Sequence, residues 1–149
     1  MKSSLIPLLM VMLASCALLG PRFYRTQFEY KQNGNVSSFP ILVPPGFLKK
    51  ESSADSMGNQ GVLYQYANAR FFIFYAKDTG SIALAQLDPS ENQPKPFRSG
   101  GLVYKGMDDD GNYWRVIRHP HLRIGYTGVP RSQEIIFDSA VNYTADHIR

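Results

Sequence analysis

The feature that most constrains this chain is a pair of aromatic, alternating runs between Gly61 and Lys77. Tyr, Phe, Ile and Val dominate both sides of Asn68-Ala69, with the period of two that marks a β-strand. A two-residue or a four-residue loop gives the same register there, opposing Tyr66 with Phe71, Tyr64 with Ile73 and Val62 with Tyr75. One face of this hairpin is then wholly apolar, and a slip by one residue would turn all of it into water. A face of that kind reads as core rather than as a ligand platform. It also needs a second layer to bury it.

The rest of the chain supplies further strands and that layer. Phe28 to Tyr30 and Phe39 to Val43 predict strands around a turn at Asn33-Gly34-Asn35, where Gly and Asn tolerate positive φ. Pro44-Pro45-Gly46 ends the second of them, and Lys49 to Gln60, polar and rich in serine, predicts a loop or at most one short helical turn. Asp78-Thr79-Gly80 predicts a turn, Ser81 to Leu87 a weak strand or short helix, and Asp88 to Gly101 an exposed loop of prolines, glycines and polar residues. Gly101 to Tyr126 predicts a three-stranded meander, turning at Asp110-Gly111 and at His119-Pro120.

In that meander one face collects Leu102, Tyr104, Tyr113, Ile117, Leu122, Ile124 and Tyr126 around one charged residue, Arg115. The other face carries Lys105, Trp114, Val116, Arg118, His121 and Arg123. From about Pro130 to His147 the period changes to that of a helix, with Ile136, Phe137, Ala140, Val141, Thr144 and Ile148 on one side and Glu134, Asp138, Asn142 and Asp146 opposite. Either Pro130 or Ser132 suits its start. The expected fold class is α+β: an antiparallel β-sheet of about six or seven strands with one C-terminal amphipathic helix packed on it, formed by residues 28–149 as a single domain. A hydrophobic content of 44% is that of a chain with a core.

Location is written in the first residues. Met1-Lys2 is basic, Leu5 to Leu13 is apolar and uncharged, and Leu13-Ala14-Ser15-Cys16 follows at once, the layout of a secretory signal peptide. The tetrapeptide resembles the lipobox of bacterial lipoproteins, position by position: Leu13 apolar, Ala14 and Ser15 small, Cys16 the acceptor. The resemblance implies a signal peptide over 1–15, cleavage between Ser15 and Cys16, a diacylglycerol thioether on the Cys16 sulfur, usually with an acylated amine, and a lipidated tether over 16–27. It further implies a cell-envelope location, and Ala17 in place of Asp implies the outer membrane, facing the periplasm. Ordinary cleavage after Ala17 is a second reading of the same residues, and an uncut anchor over Leu5 to Gly20 a third. That run contains Pro7 and is short against the roughly 20 residues of a spanning helix. A buried core helix finds no support downstream. Cys16 is the only cysteine, so no disulfide forms within the chain, and lipid attachment gives the odd thiol a use. The tether is apolar and free of acidic residues, with Arg22 and Arg25 placed to meet head groups or to dock on the domain. The later order of elements, an apolar strand, Pro-Gly-Phe, hairpins and a closing amphipathic helix, is similar to the PsbP/Mog1-like sandwich of some bacterial lipoproteins. That family's first helix is not evident here, and no residue is carried over from it.

Charge excludes one class of partner. The whole chain carries +4, and only Lys2 among its charged residues precedes Cys16. The balance is mild and the basic residues are scattered, unlike the dense runs of a nucleic-acid binder. Asp108-Asp109-Asp110-Gly111-Asn112 looks like a calcium loop, but aligned on Gly111 it meets Gly106 and Ile117 where ligands belong. His119, His121 and His147 lack the third and fourth ligands of a zinc site. No nucleophile elbow, phosphate-binding glycine loop or HExxH helix occurs. The expectation is therefore a non-enzymatic envelope protein without cofactor or metal, held to a membrane at Cys16, that binds a partner protein or supports an envelope assembly. Its candidate binding face is Lys105, Trp114, Arg118, His121 and Arg123, suited to an envelope protein or an acidic glycan. Other expectations are a periplasmic small-ligand carrier or enzyme inhibitor, and a hydrolase with two dispersed carboxylates, which need no fixed spacing.

Overall fold

The computed structural model describes residues 22–77 and 93–148, so the expectations for Cys16, for most of the tether and for 78–92 lie outside the described residues. Among the described residues, two sheets and one helix form the domain. Strands β1 (Tyr24–Gln32) and β2 (Asn35–Val43) make a two-stranded hairpin. Strands β3 (Lys49–Ala54), β4 (Gln60–Gln65), β5 (Arg70–Tyr75), β6 (Lys95–Pro96), β7 (Leu102–Met107), β8 (Tyr113–Arg118) and β9 (Leu122–Val129) make a seven-stranded sheet in the order β3-β4-β5-β9-β8-β7-β6, antiparallel throughout. Helix α1 (Glu134–Asp146) follows a 3-10 turn at Arg131–Gln133. Pro130 stays extended before that turn, and no side chain caps either segment. The α+β arrangement and the C-terminal helix are those expected.

The core lies between one face of the large sheet and a layer made of α1 and the β1–β2 hairpin. Val62, Tyr64, Phe71, Ile73 and Tyr75 enter it from β4 and β5, and Ile117, Leu122, Ile124, Tyr126 and Val129 from β8 and β9. Phe28, Tyr30, Phe39, Ile41 and Val43 meet them from the hairpin, and Phe137, Ala140, Val141 and Ala145 from α1. The rings of Tyr30 and Tyr75 lie 4.6 Å apart across this seam. Thr144 is wholly buried on α1, and its hydroxyl accepts the Leu42 N–H at 3.2 Å, which ties the helix to the hairpin.

Four local expectations change. β1 begins at Tyr24, so the tether ends before that residue rather than at 27; its turn at Asn33-Gly34 has both residues at positive φ, as a type I′ turn requires. Lys49–Ala54 is a strand: polar and exposed, it sits at the sheet's edge, where pairing on one side suffices and an apolar pattern is not needed. The β4–β5 register is shifted by two, with Val62 opposite Ile73 and Tyr64 opposite Phe71, because the turn falls on Ala67-Asn68. An even shift preserves the face, so the expected apolar set points inward as read. The β7–β8 register is shifted by one, and that changes the face. Asp108 accepts the Asp110 and Asn112 N–H groups on its carboxylate, making a five-residue loop where a two-residue turn was expected. Val103, Lys105 and Met107 therefore share the helix side with Tyr113 and Arg115, while Leu102 and Tyr104 face the other way.

Burial of tyrosines makes the fold sensitive to alkali. Desolvation pushes the Tyr64 hydroxyl up to about 12, and it also raises Tyr66, whose hydroxyl donates to the Pro44 carbonyl at 2.7 Å. The unfolded chain loses these protons near the ordinary value of about 10, so stability is intact below that pH and falls as pH rises above it. Urea midpoints should therefore drop between pH 9 and pH 11, with tyrosinate absorbance from the buried rings appearing together with unfolding; a flat midpoint would contradict this.

Candidate functional site

Of the five residues expected to share a binding face, the register keeps Trp114, Arg118 and Arg123 on the outer face and moves Lys105 to the helix side. Lys105 stands on the helix side for the reason just given. Trp114 is 8% exposed and covers Gly106 on the neighbouring strand, where an added Cβ would lie 2.8 Å from the indole. Arg123 is 2% exposed. Its guanidinium donates to the main-chain oxygens of His119 and Leu122, and its Nε has no partner among the described residues. Burial, then the charge of Arg118 directly opposite, pulls the Arg123 pKa down to about 10. His121 is half-buried with Nδ1 3.1 Å from the Ala76 carbonyl oxygen. Of the five, only Lys105 is freely exposed, so the flat aromatic–basic surface is replaced by a packed one.

The reason is a repeated device on this outer face. Three strand glycines each sit opposite a ring: Gly61 opposite Phe74, Gly125 opposite Phe72 and Gly106 opposite Trp114. Each ring folds over the glycine beside it, within 3.0 Å of where a Cβ would be. Aromatic residues here pack against backbone and bury themselves with no helix over them among the described residues.

The concave feature lies where the register shift put Lys105. A groove of about 450 Å³ runs between the first turns of α1 and the β6–β7–β8 side of the sheet. Lys95, Lys105, Met107, Tyr113, Glu134 and Asp138 line it. Lys95 and Lys105 are exposed at one wall, and Glu134 is half-buried at the other. At its base Asp138 Oδ1 accepts from Arg115 Nη1 and from the Tyr126 hydroxyl, both at 2.8 Å, and Arg115 Nη2 donates to Asn142 Oδ1 at 2.9 Å. Burial, and then the Asp138 charge, raises the Tyr126 pKa far above the ordinary value. Arg115 Nε has no partner among the described residues.

This network fastens the helix to the sheet. An acid whose Oδ1 is shared by a guanidinium and a phenol is placed to orient the groove's wall, and no histidine lines the groove to act beside it. Sequence reading found half of it: Arg115 stood out as the one charge on an apolar face. Its partners Asp138 and Asn142 are one helical turn apart, a signal present in the sequence but read as a solvated side.

Among the described residues, the edge beside the groove carries no further strand along most of β7. β6 pairs with β7 only at Val103 and Leu102, so among the described residues Tyr104–Met107 have no strand on that side. Such an edge offers main-chain donors and acceptors to an incoming strand. Among the described residues no group of three or more His, Cys, Asp or Glu could hold a metal ion, and no helix is long and apolar enough to cross a membrane. Compared with family models, curated proteins and solved structures, the chain finds no match.

Proposed function

We propose that this chain is a non-enzymatic lipoprotein of the bacterial cell envelope, held by acyl chains on Cys16, whose domain takes up an extended segment of a partner protein along the groove beside β7. The observation that carries the binding half is the coincidence of that groove with Tyr104–Met107, which have no outer strand partner among the described residues. A strand added there gains main-chain hydrogen bonds from the edge, while Met107 and Tyr113 offer apolar contact and Lys95 and Lys105 favour acidic side chains. The anchor half rests on Leu13-Ala14-Ser15-Cys16 and the apolar run before it. The outer membrane's periplasmic leaflet is the location that Ala17 supports.

A second reading is a small-ligand carrier, favoured by one observation: the groove's volume falls within the roughly 300–1,000 Å³ of small-molecule sites. The two readings separate by crosslinking. A photo-reactive phenylalanine analogue at Met107, 61% exposed, should give one discrete protein adduct in intact cells, and Lys95→Glu with Lys105→Glu should abolish it. Absence of any adduct, with a small molecule released from the purified native protein, would instead support the carrier.

A further inference from the structure

The domain has two ends, and they differ. At one end β1 begins at Tyr24 opposite Val43, and the chain leaving β2 passes through Phe47 and Leu48 into β3 at Lys49. At the other lie the β1–β2 turn at Asn33-Gly34 and the β3–β4 turn around Met57. A nine-residue strand separates the two ends of the hairpin, about 30 Å.

The first end is apolar and basic together. Leu48 is 76% exposed and Tyr24 47%, with the Tyr24 ring 5.8 Å from that of Phe47, and Phe23 half-buried beside them in sequence. Arg22, Arg25, Lys49 and Lys50 surround them, all exposed. Lys49 pairs with Glu51 at 2.6 Å and Lys50 stands 5.8 Å from the centre of the Tyr64 ring. Arg22, Arg25 and Lys50 have no carboxylate within ion-pair distance among the described residues. The acidic loop Asp108–Asp110 joins β7 and β8 at this same end of the large sheet but toward its other edge, four strand spacings, or about 19 Å, from β3 to β8.

We infer that this end of the domain, Tyr24, Phe47 and Leu48 with Arg22, Arg25 and Lys50, rests on the anionic surface of the bilayer that carries the anchor. The inference builds on lipidation at Cys16. Six residue steps from Cys16 to Arg22 reach at most about 20 Å, so the tether holds this end, and not the far one, within reach of the head groups. Exposed Leu and Tyr beside arginine and lysine are the composition of an interfacial surface: the apolar groups enter the head-group boundary and the cations meet lipid phosphates. The acidic loop tilts the contact toward the β1–β3 side.

The acylated Cys16 sulfur leaves no free thiol, so one introduced cysteine can be labelled alone. The native protein, extracted from membranes with Leu48→Cys or with Met57→Cys, is labelled with bimane and reconstituted into vesicles of phosphatidylethanolamine and phosphatidylglycerol containing brominated acyl chains. Quenching at position 48 should exceed that at position 57 by about twofold or more, and the difference should shrink in vesicles of phosphatidylcholine alone. Equal quenching at 48 and 57 would overturn the contact, and a difference indifferent to lipid charge would overturn its electrostatic part. The intact mass of the same sample reports separately on the anchor: acyl chains present with equal quenching leave the anchor standing and remove only the contact.

Discussion

Gly125→Ala should destabilise the domain by about 3 kcal/mol or more. Gly125 lies in β9, between Phe72 on β5 and Val116 on β8. A Cβ there would come within 2.3 Å of the Arg115 carbonyl oxygen, 3.0 Å of the Phe72 ring and 3.1 Å of the Val116 Cα. Two of those three neighbours are backbone of a paired strand, which cannot turn aside as a side chain does. Relief requires parting β8 from β9, the seam that joins β3-β4-β5-β9 to β8-β7-β6. Overpacking of a core costs about 1–3 kcal/mol and sometimes more; a backbone clash at the centre of the sheet belongs at or above the top of that range. Against a total stability of roughly 5–15 kcal/mol the loss is large. Gly111→Ala is the control: its φ is +79° and the space beside it is open, so it should cost about 1–2 kcal/mol and leave the fold intact. Urea titrations of the two variants decide the matter, and equal midpoints would contradict the ring-over-glycine account of the outer face.

The second large effect is chemical. Cys16→Ala should abolish incorporation of labelled fatty acid, because Cys16 is the chain's single thiol and the only side chain that can form the diacylglycerol thioether. The native chain, labelled in a growing bacterium, should carry the acyl groups through denaturing electrophoresis, as a covalent bond does and adsorbed lipid does not. A labelled Cys16→Ala chain would place the lipid elsewhere. An unlabelled native chain would leave ordinary secretion or an uncut anchor as the account of residues 1–20.

Much of the fold was legible because alternation survives errors of pairing. Val62, Tyr64, Phe71, Ile73 and Tyr75 point inward whether Val62 opposes Tyr75, as read from the sequence, or Ile73, as found. The helix was legible from Phe137, Ala140, Val141 and Thr144, all buried. Edge strands were harder. Lys49–Ala54 carries no apolar face, since pairing with β4 alone places it. The candidate site depended on one turn. Asp110-Gly111 pointed to a two-residue hairpin loop, but Asp108 satisfies two N–H groups across the turn and lengthens it to five. That single residue of register moved Lys105 from the side of Trp114 to the groove under α1. Trp114 and Arg123 were read as exposed because they stand on the sheet face away from the helix, yet rings laid over glycine, and main-chain oxygens around a guanidinium, bury them. Glycine spacing in three separate strands carried this information, and only the pairing of those strands made it visible.

The roles proposed for the β7 edge and for the end at Tyr24 both require the domain to be held near a membrane, so the anchor is the claim on which the rest depends. Its most direct test is the intact mass of the protein extracted from the membranes of the cells that make it. The account predicts a chain that begins at Cys16 and is heavier than that polypeptide by a diacylglycerol and, in most molecules, one further acyl group. A mass equal to an unmodified polypeptide, whether beginning at Met1 or cut after Ala17, would contradict it.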